Sequence, residues 1–174
     1  MTKKLLLAAV LIFSLTACTG ETSALQKFES KDAGFSILLP GQPTEQTKSV
    51  DSAIGQLNLI NFELNKGDTY YIISTTDYPA SVFESATLDQ LLDSARDGAV
   101  SNAQGTLIKE EKILVDKFPG RLLEVGLAGS QTIRAKFILA EKRLYQIVIV
   151  GPTAKMNNAE INETLSSFAL LKDL

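Results

Sequence analysis

The pattern that most restricts the fold is a run of four strand-like segments joined by short turns in the second half of the chain. Each segment is rich in apolar and β-branched residues, and no connection is longer than five residues. A parallel crossover needs a dozen or more residues, so connections this short join antiparallel neighbours. The chain is therefore predicted to contain a mostly antiparallel sheet that includes Thr106–Val115, Arg121–Leu127, Thr132–Leu139 and Leu144–Val150.

Two helical segments and three earlier strands complete the predicted architecture. The first helix begins at Thr87, with Gln90 three residues on at the spacing of a capping box. Its apolar stripe is Leu88, Leu91, Leu92, Ala95 and Ala99. The second helix begins near Asn157, with Glu160 at the capping-box position, and Ile161, Leu165 and Phe168 lie on one face of it. The earlier strands are Gly34–Leu39, Ile54–Leu64 and Thr69–Thr76. The predicted fold class is α+β, with a twisted sheet of about six to seven strands packed with two helices.

The composition removes most of the common catalytic chemistries. The 174 residues contain no His and one Cys, which excludes His-based triads, an intrachain disulfide and a cysteine zinc cluster. The sequence also lacks a Ser-x-x-Lys motif, a glycine-rich phosphate loop and a calcium loop. A non-enzymatic binding or assembly module without a cofactor is therefore predicted. The alternative is a hydrolase or metal-assisted enzyme that relies on carboxylates and lysines.

The first residues have the anatomy of a secretory signal peptide. Lys3 and Lys4 precede the apolar stretch 5–13, and small residues follow. The sequence Leu15-Thr16-Ala17-Cys18 resembles the lipobox of bacterial lipoproteins. That resemblance implies cleavage after residue 17, acylation of Cys18 and a lipid anchor in the cell envelope facing the periplasm. In a Gram-negative organism, Thr19 favours the outer membrane over the inner one. The alternative is an ordinary signal peptide that ends near a cysteine.

After the leader, one short tether and one domain are expected. Residues 18–27 comprise the lipidated Cys18 and a polar tether, and residues 28–174 form a single domain without a repeat or linker. Without residues 1–17 the formal net charge changes from −3 to −5, because two lysines are lost. An acidic domain argues against nucleic acid as a partner. The expected partners are the membrane, through the anchor, and another envelope protein or small ligand, and the domain is expected to be monomeric.

The order of elements resembles the PsbP-like fold. This fold is shared by the extrinsic photosystem II protein P and by a nuclear import factor that binds the Ran GTPase. The resemblance is carried by 33–40 at the start of the domain and 165–168 at its end, with 118–121 and 143–151 similar to uncharacterised bacterial envelope proteins. It covers about residues 28–171 and implies a fold, without a catalytic motif.

Two charged clusters are candidate sites. Asp89, Asp93 and Asp97 have i, i+4 spacing on the first helix, where they could hold a cation or form a solvated face with an Asp93–Arg96 ion pair. A two-residue turn at Gly129-Ser130 would place Arg121, Arg134 and Lys136 on one face of the sheet. This basic face is the candidate partner-binding site, although such side chains also cover apolar neighbours at sheet edges.

Overall fold

The computed structural model describes residues 24–52 and 55–171. The predicted leader, Cys18 and residues 19–23 of the expected tether lie outside these ranges. The described residues form ten strands and three α-helices. The strands are β1 (Gln26–Ser30), β2 (Phe35–Leu39), β3 (Thr44–Ser52), β4 (Gly55–Lys66), β5 (Thr69–Asp77), β6 (Thr106–Val115), β7 (Phe118–Leu127), β8 (Gln131–Ala140), β9 (Arg143–Pro152) and β10 (Ala169–Leu170). The helices are α1 (Val82–Ser85), α2 (Leu88–Asn102) and α3 (Ala159–Ser167).

Seven strands form the main sheet in the order β3-β4-β5-β9-β8-β7-β6. Every neighbouring pair in this sheet is antiparallel, which confirms the predicted α+β class. A second, three-stranded sheet in the order β1-β2-β10 was not predicted. Its first strand begins at Gln26, so the last two residues of the expected tether belong to the folded domain.

The main sheet is covered on both faces. On one side, here the α3 face, the small sheet and α3 pack on a core centred on Phe35, Phe62, Tyr145, Ile147 and Phe168. On the other side, the α2 face, α1 and α2 bury a smaller cluster that includes Leu92, Leu123 and Phe137. Because successive side chains of a strand point to opposite faces, β7, β8 and β9 each supply residues to both clusters.

The predicted helix starts are close to the observed ones. Thr87 and Gln90 form the complete capping box at the start of α2, as predicted. The N-cap of α3 is Asn158, one residue after the predicted start, and its side chain accepts a hydrogen bond from the backbone N–H of Ile161. Glu160 therefore does not close a capping box, and its carboxylate instead accepts a hydrogen bond from the Tyr71 hydroxyl at 2.6 Å.

Candidate binding site

The register between β7 and β8 decides which charged residues share a face. The loop between these strands has three residues, Ala128–Ser130, and Leu127 pairs with Gln131. Gly129 and Ser130 adopt φ angles of 70° and 57°, in the left-handed region that closes such loops. The predicted two-residue turn at Gly129-Ser130 is wrong by one residue. Arg134 consequently lies opposite Glu124, and Lys136 lies opposite Leu122.

Arg121 therefore does not lie with Arg134 and Lys136, contrary to the prediction. Arg121 pairs with Phe137 across the two strands, and its side chain points to the α2 face. A register shift of one residue moves a side chain from one face of a sheet to the other, because the side-chain period is two. The three cations thus divide into Arg121 under α2 and the pair Arg134 and Lys136 beside α3.

The guanidinium of Arg121 is buried among carboxylates, with 1% of the side chain exposed. Its Nη2 donates to Asp89 Oδ1 at 2.7 Å and to Asp93 Oδ1 at 3.1 Å. Its Nε lies 3.0 Å from Glu110 Oε1. This contact is an ion pair, and the two atoms are not aligned for a hydrogen bond. These contacts hold α2 against β6 and β7, which is a structural role for Arg121.

Two further cations extend this ion-pair network. The side chain of Arg96 contacts Glu110 at 2.8 Å, Asp97 at 2.8 Å and Asp93 at 3.3 Å, which confirms the predicted Asp93–Arg96 pair. Lys112 Nζ lies 2.9 Å from Asp89 Oδ2. The three helix aspartates therefore bind arginine and lysine. Within the described residues no group of three or more acidic or cysteine side chains is placed to hold a metal ion.

The ion-pair network raises the pKa of Arg121 and lowers the pKa of Asp89. Burial alone would lower the pKa of Arg121, but the hydrogen bonds to Asp89 and Asp93 outweigh it and the pKa is raised. Hydrogen bonds from Lys112 and then Arg121 lower the pKa of Asp89 to about 2. Both residues thus stay charged at neutral pH, and α2 carries a carboxylate that resists protonation.

We expect the contribution of Asp89 to stability to be lost only in strong acid. Its pKa is about 2 in the folded state and about 3.9 in an unfolded chain, so the contribution is complete above about pH 4 and disappears as the pH falls through about 2. Thermal unfolding of the native protein and of Asp89→Asn, measured from pH 7 to pH 2, should show a difference in Tm that shrinks across this window. Glu163→Gln, at an exposed position of α3, is the control. A difference in Tm that stays constant to pH 2 would contradict the assignment.

Arg134 and Lys136 hold α3 to the sheet. Arg134 Nη1 donates to the carbonyl oxygen of Met156 at 3.0 Å and also to the side-chain oxygen of Asn162. Lys136 Nζ donates to the carbonyl oxygen of Leu165 at 2.9 Å, in the last turn of α3, where a cation is favoured by the helix dipole. Burial lowers the pKa of Lys136. Both residues are half-buried, so reversing their charges would disturb the docking of α3 as well as any partner contact.

The α3 face also contains two hollows along β7. A cavity of about 520 Å³ lies beside Phe118, between the β6–β7 turn, the β8–β9 turn and Leu170 and Leu171. A smaller one of about 270 Å³ lies beside Leu122 and is lined by Arg134, Lys136 and Leu165. We call these two hollows together the β7 groove. Its floor is apolar and half-buried, and the larger hollow is within the size range of ligand pockets.

Charged residues from two neighbouring turns line the larger hollow. Asp116 and Lys117 form the β6–β7 turn, and Glu141 and Lys142 form the β8–β9 turn. These residues make no ion pair among the described residues, whereas Arg143 is paired with Asp77 through contacts of 2.6 and 2.9 Å. None of the four turn residues was predicted as a site. The acidic residue–lysine pair that recurs in these two turns is the sequence signal that could have indicated them.

Comparisons with known proteins establish the fold. The structure is similar to the solution structure of the cyanobacterial PsbP protein CyanoP from Synechocystis, with a TM-score of 0.57 and 17% sequence identity, covering 90% of this chain and 98% of that one. A Pseudomonas aeruginosa protein of unknown function is similar with a TM-score of 0.39 and 14% identity over 76% of this chain and 86% of that one. No family model and no curated protein matches the sequence. The domain has a PsbP-like α+β fold, as predicted.

The described helices are also informative about membrane insertion. None of those between residues 24 and 171 combines the length and the apolar character that crossing a bilayer requires.

Proposed function

We propose that this protein is a lipid-anchored, non-enzymatic binding module of the bacterial cell envelope that recognises another envelope protein. The observation that carries the proposal is Leu15-Thr16-Ala17-Cys18, in which the one cysteine of the chain follows a leader-like segment. Acylation at Cys18 and cleavage before it would leave the domain attached to a membrane. Two or three acyl chains bind durably, since each buried methylene contributes about 0.8 kcal/mol. The domain would face the periplasm and act as a monomer. In a Gram-negative organism, Thr19 favours the outer membrane over the inner one.

We expect the larger hollow of the β7 groove to face away from the bilayer, because the chain enters the fold at the other end of the sheet. Gln26 pairs with Leu39, and the following Gly41 lies against the side chain of Leu64. Leu64 pairs with Tyr71 of β5, whereas the larger hollow is lined by Asp77 at the end of the same strand. Six residues of a strand span about 20 Å. The anchor would therefore approach one end of the sheet, and the larger hollow of the β7 groove opens at the other.

The tether is short enough to keep the domain near its membrane. Seven residues separate Cys18 from Gln26, and such a segment reaches at most about 25 Å when fully extended. A partner in the same membrane, or in its periplasmic layer next to the bilayer, is therefore within range.

The contacts of the helix carboxylates favour binding over catalysis. A hydrolase built on Asp89 and Asp93 would need at least one of them free to take up a proton or to bind a metal. Both accept hydrogen bonds from Arg121, and neither lines the β7 groove. We therefore prefer the binding module to the carboxylate-dependent enzyme.

Replacing Cys18 by Ser tests the anchor. In cells fed an alkyne-labelled fatty acid, we expect the native protein to be labelled and to fractionate with membranes. Cys18→Ser should lose the label and appear in the soluble fraction or as an uncleaved precursor, with the domain still folded. Adding Ser23→Cys to that variant supplies a thiol at another position of the same segment and should not restore labelling. A labelled, cleaved Cys18→Ser protein would overturn the proposal.

A further inference from the structure

Among the described residues, the backbone N–H and C=O of Leu170 in the short strand β10 have no partner. Ala169 pairs with Ser36 and Leu170 with Phe35, and the N–H of Leu171 donates to the carbonyl oxygen of Gly34 at 3.0 Å. Backbone groups alternate in direction along an antiparallel strand, so this bond turns the N–H and C=O of Leu170 away from β2. Neither group has a partner among the described residues. Within the part of the chain that the structure describes, β10 is thus an uncovered sheet edge at the β7 groove.

The surface next to this edge is apolar. Leu170 packs against the main core together with Val115, Phe118 and Leu122, which share the α3 face of β6 and β7 beyond the cover of α3. These side chains are half-buried. Phe118 and Leu170 line the larger hollow, and Leu122 lines the smaller one. A segment that paired with Leu170 would place alternate side chains on this floor, because successive residues of a strand point to opposite sides.

The charge of the groove is opposite to that of the protein. Five basic and three acidic residues line the two hollows, while the whole chain has a net charge of −3. The larger hollow has three basic and three acidic residues, with Arg143 paired to Asp77. The excess positive charge therefore comes from Arg134 and Lys136 in the smaller hollow, while Lys117 and Lys142 are cations of the larger hollow that make no ion pair among the described residues. A local excess of positive charge on an acidic protein favours and orients a negatively charged partner.

We propose that the β7 groove binds an extended acidic segment of a partner protein, which adds as a strand to the free edge of β10. The main chain of the segment would bond to the N–H and C=O of Leu170, and its apolar side chains would enter the hollows beside Phe118 and Leu122. Its carboxylates would meet Arg134 and Lys136 in the smaller hollow, and Lys117 and Lys142 at the rim of the larger one. This is recognition by strand addition, in which backbone bonds give affinity and pockets give specificity. The inference rests on the proposed binding function and is independent of the lipid anchor.

A synthetic peptide tests the inference directly. The probe is the fluorescein-labelled octapeptide Glu-Val-Asp-Leu-Glu-Val-Asp-Leu, titrated into the full chain in detergent micelles and followed by fluorescence anisotropy. We expect saturable binding that weakens as salt rises, and at least tenfold weaker binding of the basic peptide Lys-Val-Arg-Leu-Lys-Val-Arg-Leu. In amide hydrogen exchange by NMR, the probe should slow exchange at Leu170. Equal binding of both peptides, or unchanged exchange at Leu170 when the probe is bound, would overturn the proposal.

Variants separate the backbone contact from the charge contact. Leu170→Pro removes the outward N–H and should weaken binding about threefold to tenfold more than Leu170→Ala, which keeps it. The double variant Lys117→Glu with Lys142→Glu should weaken binding tenfold or more and reduce its salt dependence, while Lys66→Glu, an exposed residue at the far end of β4, should not. If the double variant binds the acidic peptide as tightly as Lys66→Glu does, the groove is not the binding site. Hydrogen exchange on the native protein decides the question even if Leu170→Pro does not fold.

Other occupants of the edge give different results. If two copies of this chain paired through β10, the Leu170 amide would become protected with rising protein concentration in the absence of peptide, which would overturn the proposal. Failure of the peptide test leaves the fatty-acid labelling of Cys18 unaffected, so the two proposals fail separately.

Discussion

Replacing Arg121 by Met is expected to lower the free energy of unfolding by about 3 kcal/mol. Its guanidinium is almost fully buried and contacts Asp89, Asp93 and Glu110, so its removal leaves three carboxylates close together. Breaking a buried ion pair costs about 3–5 kcal/mol, and the lower end applies because Asp89 and Asp93 remain accessible to water. Urea unfolding followed by circular dichroism measures this loss.

Two further variants make the Arg121 experiment specific. Lys112→Met removes a cation from the same network at an exposed position, and it should cost no more than about 1 kcal/mol. Arg121→Lys keeps the charge but not the planar fork that reaches several carboxylates, so it should recover part of the loss. A loss for Arg121→Met as small as that for Lys112→Met would show that the network does not depend on the buried guanidinium.

Phe35→Ala is expected to have an effect at least as large. Phe35 is fully buried, and its ring contacts the rings of Phe28, Phe62, Tyr145 and Phe168 at centroid distances of 5.3–6.3 Å. Truncating a buried Phe to Ala removes these contacts and leaves a cavity, at a cost of about 3–5 kcal/mol. The same urea titration measures the change.

The matched control for Phe35 is an exposed leucine. Leu114 on β6 is 71% exposed, so Leu114→Ala should change the free energy of unfolding by no more than about 0.5 kcal/mol. If Phe35→Ala were equally mild, the small sheet would not be part of the cooperative fold.

The elements with a strong internal pattern were predictable from the sequence. The strands β6 to β9 and the helix α2 have apolar residues at regular spacing, and α2 also has a local start signal in Thr87 and Gln90. β3 was missed because its described side chains are exposed on an edge strand, so no apolar alternation marks it. β1 and β10 were missed because they are short and depend on β2, to which they pair from distant parts of the sequence.

The candidate site was predictable only in part because it depends on register. Residue types and alternation correctly placed Arg134 and Lys136 on one face of β8. The position of Arg121 depended on whether the β7–β8 loop has two or three residues, and the composition of Ala128-Gly129-Ser130 is compatible with both lengths. One residue in this loop decides whether a cation lies under α2 or beside α3. The groove itself was not predictable, since it is formed where α3 and β10 end.

The small sheet brings together the first and last parts of the domain that are synthesised. β2 lies between β1, which precedes it directly, and β10, which follows about 130 residues later. At about 5–20 residues per second, a ribosome needs several seconds or more to make that stretch. Phe35 remains without its neighbour Phe168 for that time, so a nascent chain cannot complete the core around it. The fold is completed only when its final strand has been made.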